Sequence, residues 1–190
     1  MTTPRAELVA QFCSELAKIG GAAHVARSKL ELERLLIDFV HASGARQLVS
    51  FAPQEFEPFE CSRIWSELPI RAWEQGMEEN AREFRARAAA ADIGLTIADL
   101  AIAATGSLLF RADARRPRSV SLLPRSHVVL LHARDLTPDL AHALDWLAKQ
   151  GAPPSSAVFV TGPSRTSDIE NDLTLGVHGP AAVTVFLLDE

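Results

Sequence analysis

Helix-periodic segments alternate with short apolar runs along the first part of this sequence. Residues 4–19 and 28–44 each carry an apolar stripe at the spacing of a helix, whereas residues 22–26 and 47–51 are short apolar runs typical of strands. A strand that pairs in parallel with its predecessor needs a crossover connection, and a helix is the usual one. This alternation therefore predicts an α/β fold with a mainly parallel sheet that is covered by helices on both faces.

Turn residues divide the rest of the sequence into further elements. Thr105 and Gly106 interrupt an apolar stretch, which predicts a hairpin or a bulge at one end of the sheet and could expose backbone donors there. Thr137 followed by Pro138 is typical of a helix start. Residues 53–61 are predicted to form an acidic loop or edge segment, to which we assign no chemistry. Further strands are predicted at 68–72, 101–104, 107–110, 119–123, 127–131, 157–160 and 182–188, and a further helix at 77–91.

The composition limits the size of the fold and the classes of partner. With 190 residues and 47% hydrophobic content, the chain can bury one sizeable core but is short for two, which predicts a single domain over residues 1–190. A net charge of −5 and the lack of an aromatic RNA-binding signature argue against nucleic acid. The sequence has no apolar run of the ~18 residues that a membrane helix needs, and its start is polar. We therefore expect a cytoplasmic protein without membrane insertion.

The cysteines and histidines do not form a metal-binding pattern. Cys13 and Cys61 are far apart and lack the paired spacing of iron–sulfur and zinc sites. His127 and His132 are separated by an odd step along a predicted strand, so we expect them on opposite faces of the sheet. The sequence thus predicts no metal site and no cofactor in this chain.

The strand-like run at 157–160 opens into a polar loop, residues 161–170 (TGPSRTSDIE). Ser164, Thr166 and Asp168 are good helix N-caps, so the loop should deliver the free N–H groups of a following helix to the end of the sheet. Gly162 frees the backbone and Arg165 adds a cation, which makes this a favourable place for a small anionic ligand. Ordinary capping explains the same residues, because acidic residues in a first helical turn complement the helix dipole.

Two more residues are candidates for ligand binding. His178 lies between two glycines in residues 176–180 (GVHGP), where its ring could act as an acid, a base or a hydrogen-bond donor. Arg118 belongs to the basic loop at 111–125 and offers a planar fork to a phosphate or a carboxylate. A solvated surface role is the alternative for both side chains.

The residues that carry a family resemblance are 92–96 (DIGLT), 98–107 (ADLAIAATGS), 121–124 (SLLP), His127, 161–170 and 176–180. Together they resemble the LUD family of lactate-utilisation proteins. The resemblance is close over about residues 90–190, and over the first 90 residues it is limited to a similar order of helices and strands. This chain departs from the family at Ala104, because family members usually carry a glutamate before Thr-Gly.

The resemblance implies a fold and a biological role. The fold is that of the sugar-phosphate isomerase and CoA-transferase superfamily, a three-layer α/β/α arrangement, in which we expect the Thr105–Gly106 break and the 161–170 loop to converge at the carboxyl ends of the strands. The role is a component of L-lactate utilisation that acts with iron–sulfur partner proteins and contributes a small-anion or partner-binding site. Two alternatives stay open. One is a stand-alone isomerase or transferase acting on a sugar phosphate or an acyl-CoA, with Asp99 or Asp168 replacing the missing carboxylate, and the other is a non-catalytic regulatory or scaffolding subunit.

Overall fold

A six-stranded sheet, in which every pair of neighbouring strands is parallel, lies at the centre of the computed structural model. The structure describes residues 3–73, 81–151, 154–167 and 173–190. In spatial order the strands are β1 (Ala22–Ala26), β12 (Ala182–Leu188), β7 (Ser126–His132), β4 (Ile93–Ile97), β2 (Leu48–Ser50) and β3 (Ile70–Ala72).

Helices connect and cover these strands. Within the described ranges, none of them combines the length and the apolar content that a membrane crossing requires. The α-helices are α1 (Arg5–Lys18), α2 (Lys29–Ser43), α3 (Ile64–Glu67), α4 (Ala81–Ala90), α5 (Ser119–Leu122) and α6 (Leu140–Ala148), and two 3-10 helices span Pro53–Phe59 and Ala133–Asp135.

Alternating side chains of the central strands build a core on each face of the sheet. In β12, Phe186 lies in the same core as Leu36 of α2, whereas the neighbouring Val185 lies in the core that contains Phe12 of α1. This two-residue period is the one expected of a sheet that is buried on both sides. The prediction of an α/β fold with a mainly parallel sheet flanked by helices is confirmed.

A second, four-stranded sheet shares the α1 face of the central sheet. Its order is β8 (Leu136–Thr137), β5 (Leu100–Ile102), β6 (Ser107–Ala112) and β9 (Ser156–Val160), and β5 and β6 are antiparallel. The predicted break at Thr105–Gly106 is the turn between β5 and β6. One side of this sheet contributes Leu108 to the α1 core, and the other packs Leu109 with Ala143 of α6.

The structure differs from two predictions of local structure and describes a third only in part. Residues 119–123 form the helix α5 and not a strand, because a short apolar run does not distinguish the two by periodicity. The N-cap of α6 is Asp139, whose side chain accepts a hydrogen bond from His142 N at 3.0 Å, while Thr137 extends the sheet as part of β8. The predicted helix at 77–91 is described from Ala81 onward, and residues 77–80 lie outside the described residues.

The connections after β2 and β4 leave the central sheet toward opposite faces. The segment after β2 includes α3, which contacts α2, and the segment after β4 includes β5 and β6, which pack on the α1 face. Since β2 and β4 are neighbours, a crevice forms between their carboxyl ends. Open α/β sheets bind ligands in crevices of this kind.

Candidate functional site

A chain of three hydroxyl groups joins the β5–β6 turn to the end of β9. Thr105 Oγ1 lies 2.7 Å from Ser107 Oγ, which in turn lies 2.8 Å from Thr161 Oγ1. Ser107 is buried, whereas both threonines are exposed. The two segments that were predicted to converge are therefore in direct contact.

Two glycines in these segments allow close packing against the carboxyl end of α1. Gly106 has a φ of +65°, and a Cβ built on it would lie 2.5 Å from the backbone nitrogen of Leu16. Gly162 has a φ of +77°, and its added Cβ would lie 2.8 Å from the carbonyl oxygen of Ile19. A positive φ and a lack of space for a Cβ both favour glycine. These two glycines therefore allow the segments that carry the hydroxyl chain to lie close to α1.

Hydrogen bonds tie the 161–167 segment to α1 and to the 176–180 turn. The guanidinium of Arg165 donates to the carbonyl of Ile19, the residue at the carboxyl end of α1. Ser164 N donates to Pro180 O at 2.8 Å, and Gly176 N donates to Ser164 O at 3.0 Å. The cation of the loop thus satisfies a helix carbonyl, which is a common role for a basic side chain at this end of a helix.

The described residues around the point where a helix was expected to begin are strands. Arg165–Ser167 form β10, which pairs with the antiparallel β11 (Leu173–Leu175), and Thr166 lies opposite Thr174. The prediction that Ser164 and Thr166 cap a helix with free N–H groups is therefore wrong, because these residues belong to a strand ladder and its entry. Asp168 lies outside the described residues.

The cluster lies at the amino ends of the parallel strands, so the prediction of convergence at their carboxyl ends is also wrong. Arg165 contacts Ile19, just before β1, and the 176–180 turn leads directly into β12. The reason is that β5 starts beyond the carboxyl end of β4 and runs back along α1. Its turn therefore reaches the opposite edge of the sheet.

Besides Arg165, five exposed side chains of the family-like segments lie on this edge, and we call these five the amino-edge surface. Val177 is 52% exposed, although it is apolar, and His178 beside it is exposed as well. Gly179 brings this turn close to the other loop, since a Cβ built on it would lie 3.4 Å from Ser164 Cβ. The members of the amino-edge surface are Ala104, Thr105, Thr161, Val177 and His178.

The crevice at the carboxyl ends of β2 and β4 holds a buried ion cluster. Asp99 follows β4 and Glu55 lies in the 3-10 helix after β2, and their side chains are 4% and 6% exposed. Arg116 donates to both carboxylates, with Nη1 at 2.9 Å from Asp99 Oδ1. Burial alone would lower the pKa of Arg116, but the charges of Asp99 and Glu55 outweigh it and raise that pKa. The arginine thus holds together two segments that leave the sheet in opposite directions.

The carboxylate of Asp99 is engaged in hydrogen bonds with two arginines, which argues against a role as a catalytic base. Arg111 donates to it from its backbone nitrogen at 2.7 Å and from its guanidinium at 2.8 Å and 3.0 Å, in addition to the bond from Arg116. Sequence reasoning named Asp99 only as a substitute carboxylate and assigned no chemistry to Glu55. The signal that could have found both is their position in the segments that follow two neighbouring strands.

Arg118 lies apart from the other predicted ligand-binding residues. It precedes α5, two positions after Arg116, and lines a surface cleft together with Arg85 of α4. The structure therefore divides the predicted site residues between two edges of the sheet. Arg118 lies near the carboxyl edge. The segments at the amino edge contain the other described residues of the set, which are Thr105, Gly106, Gly162, Ser164, Arg165, Thr166 and His178.

His127 lies inside the core between the two sheets. It is 1% exposed, its Nε2 lies 2.7 Å from Thr96 Oγ1, and its ring packs on Phe110. Nδ1 has no hydrogen-bond partner in the part of the chain that the structure describes. Burial lowers the pKa of His127 to about 3. His132 stacks on Phe59 on the other face, as the odd spacing predicts.

This buried imidazole predicts a specific loss of stability in acid. The unfolded chain binds a proton near the ordinary pKa of 6.5, while the folded chain does so only near a pKa of about 3. Stability is therefore fully present above the higher value and falls by up to about 1.4 kcal/mol per pH unit below it. Urea melts between about pH 6 and pH 4 should show a shallower decline for His127→Gln than for the wild type. Parallel curves would contradict a neutral, buried His127.

Comparisons with known proteins were made for the whole chain. A sequence model described as the LUD domain matches residues 9–188. Lactate utilization protein C of Oceanobacillus iheyensis is 28% identical over 173 residues, covering 87% of this chain and 73% of that protein. Lactate utilization protein C of Exiguobacterium sp. is 33% identical over 166 residues, covering 83% of this chain and 66% of that protein. This chain thus spans about two thirds to three quarters of the length of these relatives.

A solved structure shares the fold. The crystal structure of a DUF162 family protein from Deinococcus radiodurans superimposes with a TM-score of 0.70 at 19% sequence identity, covering 98% of this chain and 99% of that one. At this level of identity the likeness concerns the arrangement of the elements.

Proposed function

Because the chain belongs to the LUD domain family, we propose that it is a cytoplasmic component of L-lactate utilisation that acts with iron–sulfur partner proteins. The relatives named lactate utilization protein C support the role in lactate utilisation. In this proposal the partners carry the electrons, and this chain contributes a binding surface.

The observation that carries the proposal is the exposure of the family-like segments on the amino-edge surface. Thr105 and Thr161 are exposed polar residues, and Val177 is an exposed apolar residue of the same edge. A surface that combines exposed polar and apolar residues suits a protein interface, where an apolar centre is surrounded by polar contacts. The guanidinium of Arg165 already binds α1, so partner binding is favoured over anion binding at this edge.

The alternative of a stand-alone isomerase or transferase is less well supported. It needs a carboxylate that is free to act as nucleophile or base, and Ala104 replaces the usual family glutamate. Asp99 is engaged by Arg111 and Arg116. A regulatory or scaffolding subunit remains compatible with the same exposed surface.

Val177→Asp should weaken binding of the iron–sulfur proteins of the host's lactate-oxidising system by about tenfold or more, because it buries an unpaired charge in the interface. Leu30→Asp is the matched control, since Leu30 is 70% exposed and lies in α2, just beyond the carboxyl end of β1. Titration of the purified partners measures both variants. Equal weakening by the two variants would remove the amino-edge surface from the proposal, and a wild-type protein that binds no iron–sulfur partner would overturn the proposed function itself.

A further inference from the structure

A cleft between α4, α5 and the start of β9 lies beside the ion cluster at the carboxyl edge, and we call it the arginine cleft. Its volume is about 330 Å³, which is in the range of small-molecule sites. Arg85 of α4 and Arg118 before α5 line it, together with the side chains of Asp113, Ser119 and Ser155. None of these residues belongs to the amino-edge surface.

The ion pairs that the structure describes beside the arginine cleft do not include its two arginines. At this edge the ion pairs of the described residues use Arg111, Arg115 and Arg116 with Asp99 and Glu55. Arg85 and Arg118 do not take part in them. Among the described residues that line it, the cleft therefore combines the guanidinium groups of Arg85 and Arg118 with one carboxylate, that of Asp113.

The hydroxyl group of Ser155 and the carboxylate of Asp113 give the cleft hydrogen-bond acceptors. Ser155 Oγ donates to Ala112 O at 2.7 Å, so its remaining capacity is to accept a hydrogen bond. Asp113 Oδ1 accepts from the backbone nitrogens of Arg115 and Arg116 at 2.7 Å and 3.0 Å, and its other oxygen is an acceptor too. The cleft thus offers donors for an anion on Arg85 and Arg118, and acceptors for a ligand hydroxyl on Ser155 and Asp113.

A recess that shares Arg118 with the arginine cleft adds almost no room for a ligand. Phe51, Phe110 and Val158 line it, and its open volume is only about 10 Å³, room for about one water molecule. A long apolar tail therefore does not fit behind the arginines. The ligand has to be accommodated in the outer cleft.

From these observations we propose that the arginine cleft binds the phosphoryl group of a small hydroxylated phosphate ester. A phosphoryl dianion has three oxygens and nearly two negative charges, which match two guanidinium forks and the hydroxyl of Ser119. A monoanionic carboxylate leaves one guanidinium without a charge partner. The hydroxyl of the ester binds the acceptors on Ser155 and Asp113. This inference does not depend on the amino-edge surface or on any partner protein.

Calorimetric titration with glycerol 3-phosphate tests the proposal. Arg118→Ala and Arg85→Ala should each weaken binding by about tenfold to a hundredfold, because each removes charge-assisted hydrogen bonds. Arg82→Ala is the matched control, since Arg82 is an exposed arginine of the same helix α4 and does not line the cleft. It should leave the affinity unchanged.

The choice of probes separates the two parts of the proposal. L-lactate and glycerol should bind at least about tenfold more weakly than glycerol 3-phosphate, because one is a monoanion and the other is neutral. Inorganic phosphate should also bind more weakly, because it lacks the ester's hydroxyl groups. Equal binding of inorganic phosphate would overturn the recognition of the hydroxyl. No binding of glycerol 3-phosphate at millimolar concentration, or an Arg82→Ala variant as weak as Arg118→Ala, would overturn the site.

Discussion

Gly94→Ala should lower the free energy of unfolding by about 3 kcal/mol or more, because the new methyl group has no space. Gly94 is the second residue of the buried strand β4, and a Cβ built on it would lie 1.9 Å from the carbonyl oxygen of Val120. That oxygen belongs to the backbone of α5, so the clash cannot be relieved by a side-chain rotation. The helix has to move away from the sheet, and Val120, which is fully buried, has to move with it.

Gly44→Ala is the matched control for this prediction. Gly44 has a φ of +67° at the end of α2, and a Cβ built on it meets nothing within 4 Å. Alanine should therefore cost only about 1 kcal/mol there, from the unfavourable backbone conformation. Urea melts of both variants measure the difference. If Gly94→Ala proves no more destabilising than Gly44→Ala, the close approach of α5 to β4 is wrong.

Asp99→Asn should destabilise the fold by about 2 to 4 kcal/mol, because it leaves two arginines at the carboxyl crevice without their common carboxylate. The Asp99 side chain is 4% exposed, and those of Arg111 and Arg116 are 29% and 22% exposed. Their partial exposure reduces the expected loss below that of a fully buried pair. Equilibrium unfolding in urea measures the effect.

An exposed ion pair provides the comparison. Glu60→Gln removes a carboxylate that is 69% exposed and pairs with Lys29, so it should change stability by less than about 1 kcal/mol. A double-mutant cycle of Asp99→Asn with Arg111→Met should also be strongly non-additive, because the two side chains share hydrogen bonds. Additive effects, or equal effects of Asp99→Asn and Glu60→Gln, would show that the cluster does not hold the crevice together.

The layered fold could be predicted because its signals are local. The apolar stripe of α2, its N-cap Ser28 and the glycine at its end each depend on neighbours in the sequence, and the structure shows all three. The identity of α5 could not be predicted in this way. Ser119–Leu122 are helical, and α5 packs so closely on β4 that only a residue without a side chain fits at Gly94. Such a contact between distant segments leaves no periodic pattern.

The candidate site was predictable in its members but not in its position. The contact between Thr105 and Thr161 through Ser107 agrees with the prediction that their loops meet. The predicted edge of the sheet was wrong. The rule that ligands bind at the carboxyl ends of strands applies to the parallel strands of the central sheet, and not to a hairpin that runs back along a helix. Glu55 was missed for a different reason. Its chemistry depends on Arg116, which lies 61 positions later in the sequence.

The pairing of β1 has a consequence for how this protein emerges from the ribosome. Within the described sheet β1 pairs with β12 alone, and Ala22 lies opposite Thr184, more than 160 positions later. The first strand therefore cannot be incorporated until the chain has been synthesised as far as β12. During that interval Leu8, Phe12 and Leu16 of α1 are without the strand that completes their core. Until β12 has been made, the nascent chain should thus leave the apolar face of α1 available to chaperones, and β1 should join the sheet only after that.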